Sequence, residues 1–573
     1  MNRRDFVKSL GAAGVVGGVM PSFAYAQQNL PTGERIMSPV VPPADGAPRP
    51  VWARNGVVAS DTALAAAAGA EMLLKGGNAI DAAVATSAAL NVLEPQMTGM
   101  GGWGGYMVIY LAKEKRVVVL DGVGSSPASV ALGKITEAEC DEGYKGMVVP
   151  GCLGTWAEAL KKYGTMSLGD VFQPAIDHAE RGFRVTRLLA AAFRSSEKKL
   201  GQFPSSAAMY FPNGRPPREG EILKHADLAR SFKKVAVEGP EVFYQGEIGQ
   251  KIAAFIQQHG GFLSKADMAA YAPRWRDPIE TTFQGHTLYA PPPGSCAMTM
   301  FEALNILDGF DLKHMGLWSA DFAHHWLESM KLAFMDDDKY NTGKNVEIPV
   351  ARLLSRSYAD QQRARIQPRR TAAFPGPHLP VVGTTSLAAA DRFGNVVTFT
   401  QSHVNGFGCG VVAGDTGVLL NNGHRYGFVL DPHHVNAIVG GQPAKGVMSP
   451  VIAMKAGKVV LAAGAAGGYT IPQTVGQTLV RVLAYGLDVQ SAVASPRLML
   501  NRAGGQVPAG GNERTFSDPG YPASALAGLR KLGHTLVEES NGGSSVQGVS
   551  VDPETGGMAG GFDPRRDGAA IAW

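Results

Sequence analysis

The sequence predicts a mixed α/β protein of the α+β kind, in which a helix-rich first part precedes a strand-rich second part. Residues 62–93 are rich in alanine and carry apolar side chains at helical spacing, which indicates helices. After residue 384, apolar runs alternate with short polar turns, a pattern typical of hairpins. An Arg- and Pro-rich stretch, residues 365–380, separates the two parts.

The composition fits a globular chain. Hydrophobic residues make up 45% and charged residues 18% of the 573 residues, so we expect a sizeable core. The formal net charge is only +4, which gives no reason to expect nucleic acid as a partner. Four scattered cysteines, whose pairing the sequence leaves open, are expected to be small buried side chains rather than metal ligands or catalysts: Cys140, Cys152, Cys296 and Cys409.

The N-terminus resembles a twin-arginine export signal, residues 1–26. Adjacent Arg3 and Arg4 precede a stretch of small apolar residues that ends in Ala24-Tyr25-Ala26, an A-x-A cleavage pattern. A short membrane anchor is the alternative, but the stretch is too short and too Gly-rich to span a bilayer as a stable helix. We therefore expect the twin-arginine machinery to export a periplasmic or secreted protein without stable membrane insertion.

Glycines punctuate the first helical region. Gly76-Gly77 indicates the end of one helix, and Asn78 is a typical start for the next. Residues 99–104 match G-x-G-x-x-G, but they follow a helix and precede a strand, the reverse of the order in a dinucleotide site. We therefore expect these glycines to allow close backbone packing or to line a cleft.

Further helices are expected in the first part. They fall within 153–183, 233–271, 295–307 and 319–340, the third after two strands and a Pro-rich turn. The last contains His324-His325 and Asp336-Asp337-Asp338. Helix neighbours do not face one site, and no second cluster completes a metal geometry, so we expect capping and solvated groups and no metal.

Hairpins dominate the second part. Strands are expected on either side of Asp391–Asn395 and of Ala456-Gly457, and again near the C-terminus. Gly467-Gly468 precedes a predicted helix within 474–487.

Several segments, in order along the chain, resemble the γ-glutamyltranspeptidase family. They include residues 76–110, "VVPGCLGTW", "LSKADMAAY", "PPPGS", "GTTSLAAADRFGNVV", "GDTGVLLNN", "AAGGYTIPQ" and "DPRRDG". The resemblance implies an N-terminal-nucleophile hydrolase: two central sheets between helix layers, a four-layer αββα sandwich. It also implies a proenzyme that cuts itself before Thr384, so that residues 27–383 form a large subunit and residues 384–573 a small one within one intertwined domain.

The resemblance also assigns roles. Thr384 is the nucleophile, and the bond from Gly383 to Thr384 is the cleavage site. The backbone N–H groups of Gly467 and Gly468 form the oxyanion hole, although a simple tight turn is the alternative. Ser402 takes the place of a Thr that hydrogen-bonds the nucleophile, although an ordinary strand residue would also fit.

The chain departs from the family where members hold the glutamyl group. Val123 stands at the position of the carboxylate-binding Arg, Tyr426 at that of the ammonium-binding Asp, and Gly446-Val447 at that of a Ser-Ser pair. A zwitterion cannot be held without counter-charges, because desolvating it unpaired is costly. Arg425 is the candidate for a replacement charge, so Arg425 and Tyr426 are the expected substrate-binding residues.

These observations favour an amidohydrolase that acts on a γ-glutamyl or related small acyl or acidic amide, with hydrolysis preferred to transpeptidation. An oxamate-type amidohydrolase or a glutaryl or cephalosporin acylase is the alternative, and an inactive binding or scaffold protein of the same fold is a further one. No cofactor is expected. The expected partners are the small-molecule substrate, the two subunits of one precursor and the export machinery.

Overall fold

Two seven-stranded sheets face each other in this protein. The computed structural model describes residues 49–372, 383–501, 514–538 and 544–573, so the predicted signal lies outside the described residues. The strands, in chain order, are β1 Val51–Ala53, β2 Gly56–Ser60, β3 Gly104–Leu111, β4 Arg116–Asp121, β5 Phe183–Arg184, β6 Ile222–Leu223, β7 Arg274–Arg276, β8 Ile279–Phe283, β9 His286–Ala290, β10 Gly383–Asp391, β11 Val396–Val404, β12 Val451–Lys455, β13 Lys458–Ala466, β14 Leu498–Asn501, β15 Arg514–Ser517, β16 Leu536–Glu538, β17 Ser545–Val551, β18 Met558–Phe562 and β19 Ala569–Ala572.

Helices precede, follow and connect these strands. In chain order they are α1 Ala63–Leu74, α2 Ala79–Leu93, α3 Glu137–Asp141, α4 Cys152–Tyr163, α5 Leu168–Arg181, α6 Arg187–Ser195, α7 Glu197–Gly201, α8 Pro204–Tyr210, α9 Ala226–Glu238, α10 Glu241–Tyr244, α11 Glu247–Gln258, α12 Lys265–Ala270, α13 Ala297–Leu307, α14 Leu312–Met315, α15 Ala320–Tyr340, α16 Val350–Leu353, α17 Arg356–Arg363, α18 His424–Gly427, α19 Ile471–Leu483, α20 Val489–Ala494 and α21 Ala523–Lys531.

Both large sheets are antiparallel throughout and draw strands from both sides of residue 384. One has the order β1-β18-β17-β13-β12-β9-β8 and the other β19-β2-β10-β11-β3-β4-β7. Smaller sheets join β14-β15-β16 and β5-β6.

Alternation along β10 shows how the layers stack. Ala388 and Ala390 belong to an apolar cluster between the sheets, together with Ile452 of β12. Leu387 and Ala389 point the other way, into a cluster with α1, α2, α4 and α5. A third cluster packs α13, α15 and α19 on the outer face of the opposite sheet. The predicted four-layer αββα sandwich is confirmed.

The start of the chain folds as its glycines and caps predict. The Asn78 side chain accepts hydrogen bonds from the Ile80 and Asp81 amides, and the Asn78 amide donates to the Asp81 carboxylate in return, which starts α2 immediately after the glycine pair. The run 99–104 leads into β3, so the helix-then-strand order that excluded a dinucleotide site is confirmed. A Cβ on Gly101 would lie 2.1 Å from the Leu419 carbonyl oxygen, which confirms a packing role.

One expectation about α15 is wrong. His324, His325, Asp336 and Asp337 were expected to be solvated, but all four are buried, and only Asp338 is substantially exposed. The helix packs against α13 and α21 and also contacts β14, so the face toward α13 and the face toward α21 are both covered. Amphipathic spacing alone does not distinguish such a helix from a surface helix.

The four cysteines are buried, as expected, and the structure shows that they are unpaired; burial raises the pKa of the Cys152 thiol to about 11. Among the described residues, no helix combines the length and the apolar character needed to cross a membrane.

Candidate active site

Thr384 stands beside the carbonyl group of the residue that precedes it. Gly383 begins β10, and the pairing with β11 is irregular between Gly383 and Thr385. The Thr384 hydroxyl is buried and donates to the Gly383 carbonyl oxygen at 2.6 Å. The nucleophile predicted from the sequence is therefore within reach of the bond that the family pattern marks for cleavage.

Ser402 contacts the same carbonyl from the neighbouring strand. Its Oγ donates to the Gly383 oxygen at 2.6 Å and lies 3.3 Å from Thr384 Oγ1. The Val404 amide donates to Ser402 Oγ at 2.7 Å, and this bond leaves the Ser402 hydrogen directed at the carbonyl. Val404 has φ +86°, an unfavourable conformation for a β-branched residue, so local backbone strain accompanies this arrangement.

An arginine contacts the backbone on the other side of Thr384. Arg566 Nη1 donates to the Thr384 carbonyl oxygen at 3.0 Å and lies 3.5 Å from Asp61 Oδ2. The same Asp61 oxygen accepts the Ser386 amide at 3.2 Å. The backbone on the C-terminal side of Thr384 is thus fixed by one ion pair.

A buried pair of carboxyl groups contacts Thr385, the residue after Thr384. The Thr385 hydroxyl is 3.0 Å from Asp61 Oδ2 and 2.9 Å from Glu94 Oε2. Because a hydroxyl has a single hydrogen, both contacts are hydrogen bonds only when a carboxyl group supplies a second one. Burial, reinforced by the charge of Asp61, raises the pKa of Glu94 to about 8, so Glu94 is the protonated partner.

We predict that Glu94→Gln flattens the alkaline loss of stability. Folding holds the Glu94 proton up to a pKa of about 8, whereas the unfolded chain releases it near 4.5. The contribution of Glu94 to the free energy of unfolding is therefore complete below pH 4.5 and is lost as the pH rises through about 8. Denaturant unfolding at a series of pH values would measure this slope in the wild type, in Glu94→Gln and in the exposed control Glu114→Gln. Equal slopes in all three proteins would contradict the assignment.

Gly467 and Gly468 lie at the same end of the sandwich as Thr384. Ala466, the last residue of β13, pairs with Ser545, whose hydroxyl donates to Asp61. Asp61 in turn bonds Thr385. The glycines have φ values of +124° and +64°, which other residues rarely adopt, and α19 follows them. Successive amides in such a turn are suited to binding an anion.

Three positions at which this chain lacks the family's glutamyl-binding side chains are apolar. Val123 and Val447 are both buried in the cluster around α13 and α15. A Cβ at Gly446 would meet the Tyr106 ring at 2.9 Å, so this position has no room for a serine in the present packing. No charged side chain stands at any of these three positions.

Arg425 lies in the short helix α18 and already forms an ion pair. Its guanidinium contacts Glu137 at 2.6 Å and lies 5.0 Å from the Tyr426 ring centroid. Glu137 is 65% exposed, so this ion pair is screened and opens at little cost. Burial raises the pKa of Tyr426, which therefore offers a neutral hydroxyl.

An acid from the first part of the chain supports the same loop. Asp141 of α3 accepts hydrogen bonds from the side chains of Asn405 and Asn422. The Asn405 amide also donates to Asn422 at 2.9 Å. Asp141 thereby places a carboxylate beside Tyr426, at the loop where the family's Asp is absent.

Sequence reasoning did not find Asp61, Glu94 or Asp141. Asp61 and Glu94 lie at helix ends, where acidic residues are common, and no spacing links them to Thr385. Arg566 lies in the matched motif "DPRRDG", which carried a signal but no assigned role.

Comparison with known proteins identifies the family. The sequence profile described as Gamma-glutamyltranspeptidase matches residues 65–573. The chain belongs to the γ-glutamyltranspeptidase family. One relative is the acylase ACY 1 proenzyme of Pseudomonas sp. (strain SE83), 34% identical, with 91% of this chain and 94% of that protein covered. Another is the glutathione hydrolase-like YwrD proenzyme of Bacillus subtilis (strain 168), 35% identical, with 90% and 98% covered.

The solved structures agree with the γ-glutamyltranspeptidase assignment. The crystal structure of cephalosporin acylase from Bacillus halodurans matches with a TM-score of 0.84 and 33% identity, over 96% of this chain and 99% of that one. The predicted family, the N-terminal-nucleophile hydrolase fold and the enzymatic nature of the chain are confirmed. Both of these relatives are named as proenzymes.

Proposed function

We propose that the chain cuts itself between Gly383 and Thr384 and then cleaves a small amide through an acyl-enzyme on Thr384. The observation that carries the proposal is the pair of hydroxyls, Thr384 and Ser402, each 2.6 Å from the Gly383 carbonyl oxygen. One hydroxyl is placed for attack, and the other stabilises the oxygen that becomes negative. The cut would divide the precursor into residues 27–383 and 384–573.

The cut supplies a base. Thr384 Oγ attacks the Gly383 carbonyl carbon, the C–N bond breaks, and the acyl group passes from nitrogen to oxygen. Water then hydrolyses the ester. A free α-amino group has a pKa of about 7.7–8.0, so part of it is unprotonated at neutral pH and can accept the hydroxyl proton. Within an intact chain the same nitrogen is an amide and cannot act as a base.

Turnover uses the same oxygen. The Thr384 hydroxyl attacks the substrate carbonyl, and the amides of Gly467 and Gly468 donate to the oxyanion. Ser402 remains as the hydrogen-bond partner of Thr384, and Arg566 keeps the Thr384 backbone in place. The amine product leaves, and water releases the acyl group.

The substrate is a γ-glutamyl or related small acyl or acidic amide. The apolar positions at Val123, Gly446 and Val447 argue against a tightly held zwitterion, whereas Arg425 can exchange its exposed partner Glu137 for a substrate carboxylate. Hydrolysis is preferred to transpeptidation, since the chain lacks the contacts that grip the donor. A glutaryl or cephalosporin acylase is the second candidate, favoured by the similarity to an acylase proenzyme and to a cephalosporin acylase structure.

A panel of amides tests the substrate class. The matured enzyme is offered γ-glutamyl anilide, glutaryl anilide and neutral acyl anilides, with and without an acceptor dipeptide. We expect glutaryl anilide to match or exceed γ-glutamyl anilide in kcat/KM, with the free acid as the main product. A preference for γ-glutamyl anilide over every other amide, with acceptor products dominant, would contradict the proposal.

We further propose that the protein acts in the periplasm or in the medium. The twin-arginine pattern at Arg3 and Arg4 supports export to the periplasm or medium. Replacement of both arginines by lysine is expected to retain the protein in the cytoplasm, as cell fractionation would reveal.

A further inference from the structure

Three side chains of types that commonly bind metals meet beside α15, at a distance along the chain from Thr384. His324 and Glu328 are one turn apart on this helix, and His534 follows α21. Each offers one ligand atom, and these atoms all lie within 4.8 Å of one another. All three residues are buried. Sequence patterns do not link His534 to this helix, because it lies 210 residues after His324.

The two histidines are oriented as ligands. His324 Nε2 lies 2.8 Å from the Gln367 carbonyl oxygen, which can only accept, so this nitrogen carries hydrogen. His324 Nδ1 faces His534 Nε2 at 2.8 Å. The lone pair of His324 Nδ1 is therefore directed at the space between the two rings, where it accepts from His534 Nε2.

The remaining capacity of the cluster points to an absent partner. His534 Nδ1 is buried and has no hydrogen-bond partner among the described residues, so it is free to take up the hydrogen that Nε2 gives up when Nε2 binds an ion. Glu328 Oε1 accepts from Lys331 at 2.6 Å and from Thr371 at 2.9 Å, and Oε2 accepts the Ala372 amide at 3.1 Å. Oε2 therefore keeps a lone pair for another ligand.

We propose that His324, Glu328 and His534 bind a divalent transition-metal ion of the Zn²⁺ type. Two imidazoles and a carboxylate are a preferred donor set for such an ion. The Gln367 carbonyl fixes the ring of His324 by accepting its other N–H, as is usual for metal-bound histidines. On binding, the hydrogen between the rings moves from Nε2 to Nδ1 of His534, so no net proton is lost. Lys331 is the competing cation and moderates the affinity.

The ion would connect the two sides of the proposed cut. His324 and Glu328 precede residue 384, and His534 follows it. Glu328 also holds Thr371 and Ala372, the last described residues before Gly383. A bound ion thus adds a link between the two polypeptides, although the metal site itself does not depend on the proposed reaction.

Metal titration of the full-length protein, without a polyhistidine tag, tests this proposal. After chelator treatment and buffer exchange, Zn²⁺ is added in a calorimeter and Co²⁺ in a spectrophotometer. We expect one Zn²⁺ per chain, and intense visible Co²⁺ bands typical of a low-coordinate nitrogen and oxygen site. His534→Gln should weaken Zn²⁺ binding by about a hundredfold or more. His314→Gln, which alters an exposed histidine, should leave it unchanged.

Two outcomes would overturn the proposal. One is the absence of Zn²⁺ binding and of Co²⁺ bands in the wild-type protein, which would make the cluster a hydrogen-bonded pair of histidines. The other is equal Zn²⁺ binding by wild type, His534→Gln and Glu328→Gln. If a variant fails to fold, the Co²⁺ spectrum of the wild type still distinguishes a metal site from a hydrogen-bonded pair of histidines.

Discussion

Thr384→Ala leaves the purified protein as one uncut chain without amidase activity. The substitution removes the hydroxyl that lies 2.6 Å from the Gly383 oxygen, so neither self-cleavage nor acyl transfer has a nucleophile. Gel electrophoresis and an amide-hydrolysis assay measure the two losses separately.

Thr384→Ser is the matched control for this change. Serine keeps the hydroxyl and, once released, the α-amine, so we expect slower but complete cleavage and measurable turnover. An uncut Thr384→Ala protein that hydrolyses amides at the wild-type rate would show that the nucleophile lies elsewhere.

Ser402→Ala slows self-cleavage by on the order of a hundredfold or more, because one donor to the developing oxyanion is lost. Ser402 Oγ donates to the Gly383 oxygen, and the Val404 amide fixes that orientation. Precursor should accumulate and be converted over hours or days. The rate is followed by the appearance of the fragment that begins at Thr384.

Ser386→Ala controls for loss of a buried hydroxyl from the same part of the sheet. Ser386 Oγ lies 3.0 Å from Thr400 Oγ1 and contacts neither Gly383 nor Thr384 in the described contacts. We expect Ser386→Ala to be cleaved at a rate near that of the wild type. Ser402→Thr, which keeps the hydroxyl, should recover most of the cleavage rate that Ser402→Ala loses. Cleavage of Ser402→Ala at the wild-type rate would remove Ser402 from the mechanism.

Local signals in the sequence were sufficient for most of the fold. The capping pattern at Asn78 and the turns at Asp391–Asn395 and Ala456-Gly457 depend on residues only a few positions apart. Their physics is local, so periodicity and turn chemistry predict them.

The support around the nucleophile could not be predicted in this way. Asp61 bonds Thr385, Ser545 and Gln547, and Arg566 reaches the Thr384 carbonyl, across separations of about two hundred to five hundred residues. These contacts exist only after both sheets have assembled. The resemblance to a family supplied Thr384, Ser402 and the two glycines, but not the charges around them.

The burial of α15 was missed for a related reason. His324 looked like one of two adjacent histidines on a surface helix, because its partner His534 comes from a turn far along the chain. A helix covered on both faces carries polar residues that pair across elements, and spacing within the helix does not reveal those partners.

Intact mass measurement of the active wild-type protein distinguishes a self-cleaved enzyme from an uncut one. We expect two polypeptides, one of which begins at Thr384 and ends at Trp573, in a sample that hydrolyses amides. A single unbroken chain with full activity would contradict it, because the base of the proposed mechanism would then still be an amide nitrogen.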